Sequence, residues 1–157
     1  MSLASVRAAA IDLMDEYAER IDEDRLEEWL DLFTEDCSYR IVPRDNVEQN
    51  LPVSIMLCTN KNMLRDRIVS LRNANAYNFH YDRHFISNVR VSPAGESVWQ
   101  VRANYASYQT TLDGQSRLFS IGRYRDKVRM EGNQLLFSEK LVIVDTFSVP
   151  TLLATPL

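Results

Sequence analysis

Three long runs in the last third of the chain, Trp99–Thr110, Leu118–Met130 and Gln134–Asp145, constrain the fold more than any other feature. Each is rich in β-branched and aromatic residues. Turn signals separate them: Leu112-Asp113-Gly114, whose Asp-Gly pair tolerates positive φ, and Glu131-Gly132-Asn133. Runs joined in this way pair as neighbouring antiparallel strands. In the first run one face carries Trp99, Val101, Ala103 and Tyr105, and the other Arg102, Asn104, Ala106 and Tyr108. Strands this long twist strongly, and Gly122 offers a place to bend.

The region before them reads as helical with interruptions. Ser2 or Ser5 caps a first helix to about Glu23, with Val6, Ala10, Leu13, Tyr17 and Ile21 on one stripe. Asp24 and Glu27 match a capping box that starts a second helix burying Leu26, Trp29, Leu30 and Phe33. Cys37–Val42 reads as a short strand, Pro43–Pro52 as a loop, and Val53–Cys58 as a strand or an irregular apolar segment. A third helix begins near Thr59 or Asn60 and runs to about Arg72, with Met63, Leu64, Ile68 and Leu71 inward. Residues 73–82 form an irregular connection, His84–Val91 a strand, and Ser92–Glu96 a turn. This order has no βαβ alternation, so the class is α+β, with helices packed on an antiparallel sheet. The length, 157 residues, suits one domain spanning 1–157. Its apolar, proline-punctuated tail over 149–157 is expected to dock on a neighbouring subunit, the competing reading being that it covers this chain's own sheet edge.

Several function classes are disfavoured by composition. The net charge is −4, and acids lie among bases, as in Arg123-Tyr124-Arg125-Asp126-Lys127, so no nucleic-acid partner is expected. No apolar run approaches the roughly 20 residues needed to span a bilayer. No basic segment with an apolar core opens the chain, so neither a signal peptide nor a membrane partner is expected. Cys37 and Cys58 make no disulfide framework and suit reduced thiols in a cytoplasmic protein. Four glycines, at 95, 114, 122 and 132, allow neither a dinucleotide fingerprint nor a phosphate loop.

Residues with chemical potential are few. His80 and His84 are four apart, but in an extended segment that spacing does not build a metal site. An acid–base pocket could gather Tyr17, Tyr39, His84 and Tyr105 with Asp36, Asp66 or Asp145, the histidine acting as base. The competing reading makes such a histidine architectural. Asp66 and Arg67 on the third helix, and Arg83 beside His84, read either as ordinary surface charges or as a subunit contact or internal brace. The aromatics Trp29, Phe33, Tyr39, Phe85, Trp99, Tyr105, Tyr108, Phe119 and Phe137 should fill the wedge between helices and sheet. Tyr81, Tyr108 and Tyr124 are candidates for contacts with other subunits.

Five segments in order carry a family resemblance. They are Trp29-Leu30-Asp31-Leu32-Phe33-Thr34-Glu35-Asp36-Cys37-Ser38-Tyr39, Met63-Leu64-Arg65-Asp66-Arg67-Ile68, Arg83-His84-Phe85-Ile86-Ser87-Asn88-Val89-Arg90-Val91 and Phe119-Ser120-Ile121-Gly122-Arg123-Tyr124-Arg125-Asp126, closed by Asp145 with Thr151–Leu157. Together they resemble the small, or beta, subunit of Rieske-type aromatic-ring-hydroxylating oxygenases. Arg40, Arg44-Asp45-Asn46, Asn50-Leu51-Pro52 and Met63–Ile68 look nearest to members acting on salicylate or terephthalate.

The resemblance implies a cone of three helices and a strongly curved antiparallel or mixed sheet, of the nuclear-transport-factor-like and scytalone-dehydratase-like kind. It implies a non-catalytic structural subunit, trimeric within a hexamer of three large and three small subunits. It places the Rieske [2Fe–2S] cluster and the mononuclear Fe(II) on the large subunit, with NAD(P)H used by a separate reductase, sometimes through a ferredoxin. This chain would then hold no cofactor or metal. Asp66, Arg67, Arg83, His84, Tyr124, Asp145 and Leu157 would serve structure or interfaces. The alternative is a stand-alone cone-fold lyase or isomerase in which His84 works with a carboxylate, Asp36 and Tyr39 being the catalytic candidates beside it.

Overall fold

The computed structural model describes residues 1–74, 79–146 and 156–157. Helix α1, Leu3–Asp22, opens on Ser2, whose hydroxyl accepts from the Ser5 N–H at 3.1 Å. It buries Val6, Ala10, Leu13, Met14, Tyr17 and Ile21. Helix α2 is only Leu26–Trp29 and runs into a 3₁₀ turn, Leu30–Leu32. The capping box does not form. Asp24 takes φ +57°, and the carboxylates of Asp24 and Glu27 both accept from the Arg72 guanidinium. Charge-assisted forks of this kind are stronger than a neutral cap.

Strand β1, Phe33–Pro43, starts four residues earlier than its apolar run suggests. Within Pro43–Pro52, expected as loop, lies helix α3, Arg44–Glu48, with Pro43 at φ −64° entering it. The described residues therefore hold four α-helices, not three, counting the very short α2 and α3. Strand β2 is Met56–Cys58, and helix α4, Lys61–Asn73, is capped by Asn60 accepting from the Met63 N–H at 2.9 Å. Met63 is exposed rather than inward, its sulfur accepting from Thr59. Strands β3, His80–Gly95, β4, Val98–Thr111, β5, Ser116–Glu131, and β6, Gln134–Val144, complete the chain order. Strand β3 absorbs most of the expected Ser92–Glu96 turn, and the chain reverses just after Gly95.

The six strands form one sheet in the order β2-β1-β6-β5-β4-β3. All pairs are antiparallel except β1 with β6, so the sheet is mixed. Register shifts on β1, β3, β5 and β6 increase twist and bend the sheet. Gly122 sits where β5 passes close to β6: a Cβ there would stand 2.0 Å from the Ile143 carbonyl oxygen. The inward side buries Trp29, Phe33, Tyr39, Val101, Tyr105, Tyr124, Val128, Phe137 and Val142 against Leu13, Tyr17 and Ile21 of α1.

Candidate functional site

The interior and the outer sheet face differ in chemistry. Deep inside, Asp126 of β5 and Lys140 of β6 form an ion pair at 2.8 Å with both side chains fully buried. Asp126 also accepts from the Leu141 N–H at 3.2 Å. The Lys140 ammonium lies 3.5 Å from the Tyr124 ring centroid, 4.1 Å from Tyr17 and 4.7 Å from Phe137. Burial pushes the Asp126 carboxyl up and the Lys140 ammonium down, and each charge opposes the other's shift. Three aromatic faces and one carboxylate thus replace the water that the ammonium gives up.

Above this pair the Tyr17 and Tyr39 hydroxyls lie 3.0 Å apart. Both donate to the Leu157 carbonyl oxygen, Tyr39 at 3.0 Å, and the Leu157 N–H donates to the Tyr39 hydroxyl at 3.1 Å. Leu157 is buried, so it fills this chain's own interior. Burial raises both phenols, which therefore stay neutral hydrogen-bonding groups. At the start of β3, His84 donates its backbone N–H to Asp22 at 2.9 Å, and its Nδ1 lies 2.6 Å from the same carboxylate. The pair ties β3 to the last turn of α1.

Outward, β3, β4 and β5 present Phe85, Tyr108, Leu118 and Ile121 at one end. A cleft of about 430 Å³ follows, lined by Arg44, Phe85, Asn104, Ile121, Arg123 and Asp145 among others. Beyond it Arg90, Arg102 and Arg125 stand directly opposite one another on three adjacent strands.

The family model for the ring hydroxylating beta subunit matches residues 16–151. The chain belongs to that family. This beta subunit is 44% identical over 145 residues to the anthranilate 1,2-dioxygenase small subunit of Burkholderia cepacia, covering 92% of this chain and 90% of that one. It is 30% identical over 141 residues to a terephthalate 1,2-dioxygenase terminal oxygenase beta subunit of Comamonas sp, covering 90% and 92%. Among solved structures it is similar to a beta subunit assigned to an aromatic-ring-hydroxylating dioxygenase of Novosphingobium aromaticivorans. The TM-score is 0.90 at 36% identity, over 99% of this chain and 100% of that one. A protein of the same organism assigned as a scytalone dehydratase shares the fold, with TM-score 0.73 at 19% identity over 98% and 92%. The α+β cone expected from the sequence is the observed fold, and the family is the one its segments resemble.

In this beta subunit the sequence candidates do not converge. His84 takes Asp22 as its carboxylate, whereas Asp36 is exposed and held by Arg129 at 2.7 Å, and Tyr39 bonds to Tyr17 and Leu157. His84, Asp36 and Tyr39 thus sit in three separate networks, because each has a nearer partner of opposite or complementary polarity. Asp66 and Arg67 are exposed on α4, Arg67 edging a small cavity with Trp29 and Pro156. Arg83 is exposed, 4.0 Å from Glu23. Asp145 lies 3.7 Å from Arg44 at the cleft, and its N–H donates to Ile121.

Two aromatic expectations reverse. Tyr124, a candidate for contacts between subunits, is buried and stacks on Tyr105 at 4.6 Å and 10°. Phe85, expected in the wedge, is 60% exposed, and it meets edge to face on the outer side with Tyr108, 38% exposed, a candidate for the wedge and for contacts alike. The expected docking of 149–157 on a neighbour lies outside the described residues as far as 155. Pro156 and Leu157 instead meet this chain's own core. Cys37 and Cys58 are buried free thiols, and burial raises both. Sequence reasoning missed Asp22, Asp126 and Lys140. Among the described residues no three His, Cys, Asp or Glu side chains gather as a metal site, and no helix is long and apolar enough to cross a membrane.

Proposed function

We propose that this chain is the structural small subunit of an oxygenase that attacks a carboxylated aromatic ring. It assembles as a trimer with three large subunits that carry the Rieske [2Fe–2S] cluster and the mononuclear iron. A separate reductase, with or without a ferredoxin, delivers electrons from NAD(P)H. The observation that carries this reading is the 44% identity, nearly end to end, to the anthranilate 1,2-dioxygenase small subunit. The terephthalate relative also acts on a ring bearing carboxylates.

The filled interior supports a structural role. The place where a cone-shaped protein could hold a small molecule contains Lys140, Tyr17, Tyr39 and Leu157 bonded to one another's neighbours. The outer face supports the same reading, because apolar side chains exposed together on a sheet suit burial against another polypeptide. Asp66, Arg67, Arg83 and Asp145, all exposed, serve as contacts or braces, whereas His84, Tyr124 and Leu157 hold the fold. We propose one domain over 1–157 and a cytoplasmic location, which two buried free thiols suit.

Co-expression with the large subunit tests this. A mass matching three large and three small chains, with iron bound by the large ones and ring oxygenation lost when this chain is omitted, is the expected result. Tightly held iron in the purified small chain, or turnover of an aromatic by that chain alone, would overturn it.

A further inference from the structure

Arg90 pairs with Arg102, and Arg102 pairs with Arg125, so three guanidinium groups form one row across β3, β4 and β5. All three are exposed, and none makes an ion pair among the described residues. Like charges directly opposite one another destabilise a sheet. Lys127 and Arg123 flank the row, although Glu139 partly answers Lys127 at 2.9 Å. Residues 80–131 hold eight Arg or Lys against five acids.

The opposite imbalance lies on the helical side. Residues 1–36 hold twelve Asp or Glu against three Arg. On α1, Asp12, Asp15 and Glu19 are exposed and share one stripe by their spacing of three and four. Asp12 and Asp15 make no ion pair among the described residues, and Glu19 has only Arg25 at 3.7 Å. This stripe repels itself as the arginine row does. The two spacings also agree. One helical turn rises about 5.4 Å, and neighbouring strands lie about 4.8 Å apart. A helix laid across the strands sets one acid over each arginine in turn.

We propose that the arginine row of Arg90, Arg102 and Arg125 seats the acidic α1 stripe of a second copy of this chain. The contact is head to tail, because its two halves are different surfaces, and a head-to-tail contact repeats until it closes into a ring. The proposal rests on the assembly reading above and adds which faces meet. The apolar end of the same sheet face, at Phe85 and Ile121, stays available to the large subunit.

Charge reversal with rescue tests it on the purified full chain, by light-scattering mass at 50 and 500 mM salt, with circular dichroism to confirm folding. The wild type is expected to self-associate at low salt and to weaken about tenfold or more at high salt, as screened charges do. Arg102→Glu, and separately Asp15→Lys with Glu19→Lys, should each give monomers. All three changes in one chain should restore the oligomer. A wild type that is monomeric at 50 mM salt overturns the proposal, as do reversed variants that still associate. A loss on Arg102→Glu that the combined chain does not repair also overturns it, and assigns the row to a large subunit or a polyanion. Failure of the subunit reading is separate: there the wild type does not co-purify with its large subunit, whatever its own mass.

Discussion

The two faces of β4 and β5 belong to the same backbone yet have opposite relations to charge. Inward, Asp126 meets Lys140, whose ammonium also lies over three rings, and each charge is answered within the chain. Outward, Arg90, Arg102 and Arg125 face one another with no counter-ion among the described residues. The inner charges are paired within the fold, and the outer ones have no counter-ion among the described residues.

The sharpest way to break this contrast is to make the inside as unpaired as the outside. Lys140→Met should cost about 3–5 kcal/mol in urea unfolding, because it leaves the Asp126 carboxylate buried alone. Adding Asp126→Leu should recover most of that loss, since an apolar pair needs no compensation. The pH dependence of the single variant has a definite sign. Burial already raises Asp126 in the folded protein, and removing Lys140 raises it further. A carboxyl raised on folding costs nothing below its unfolded pKa and progressively more as pH climbs through the folded one. Lys140→Met is therefore least unstable in acid, and a deficit independent of pH would remove the charge explanation.

Gly122→Ala comes next. Its Cβ would meet backbone at Ile143, which cannot swing aside as a side chain can, and about 1–3 kcal/mol is expected from overpacking. Smaller still is Arg72→Gln, which releases Asp24 and Glu27 and should cost about 0–1 kcal/mol, since the pairs are solvent-exposed. The Arg72 guanidinium holds Glu27 down at about 2. A carboxyl lowered on folding stabilises above its unfolded pKa and loses that contribution as pH falls toward the folded value. The variant should thus differ from wild type at neutral pH and converge with it near pH 2. On the outer face, Phe85→Ser should change the stability of the isolated chain by no more than about 0.5 kcal/mol. It should instead lower the yield of complex with the large subunit. A large loss of stability from Phe85→Ser would make the outer face part of the core and erase the comparison.

Much of this was legible in the sequence. The three last strands, α1 and α4 follow from periodicity and caps, and the family follows from its ordered segments. The buried ion pair was legible in principle. Asp126 alternates in phase with Tyr124 and Val128, and Lys140 with Val142 and Val144, so a strict two-residue period places both charges inward. Counting charges along the run hides that, since Arg125 and Lys127 flank Asp126 on the other face. The arginine row was not legible, because pairing Arg90 with Arg102 depends on a register shift between Ser87 and Arg90. The Asp22 partner of His84 was hidden for a similar reason: it lies across the fold, where Asp36 and Asp66 looked equally eligible. Capping at Asp24 failed because Arg72, distant in sequence, competes for the same carboxylate.

The parallel pairing of β1 with β6 sets an order of events during synthesis. Tyr39 of β1 lies opposite Lys140 of β6, so the strand must wait about a hundred residues for its neighbour. At roughly 5–20 residues per second the delay is about 5–20 seconds. Throughout it, Phe33, Tyr39 and Ile41 have an incomplete sheet to shelter in. A nascent chain of this design needs protection early, and a rare-codon pause before residue 134 would lengthen its exposure.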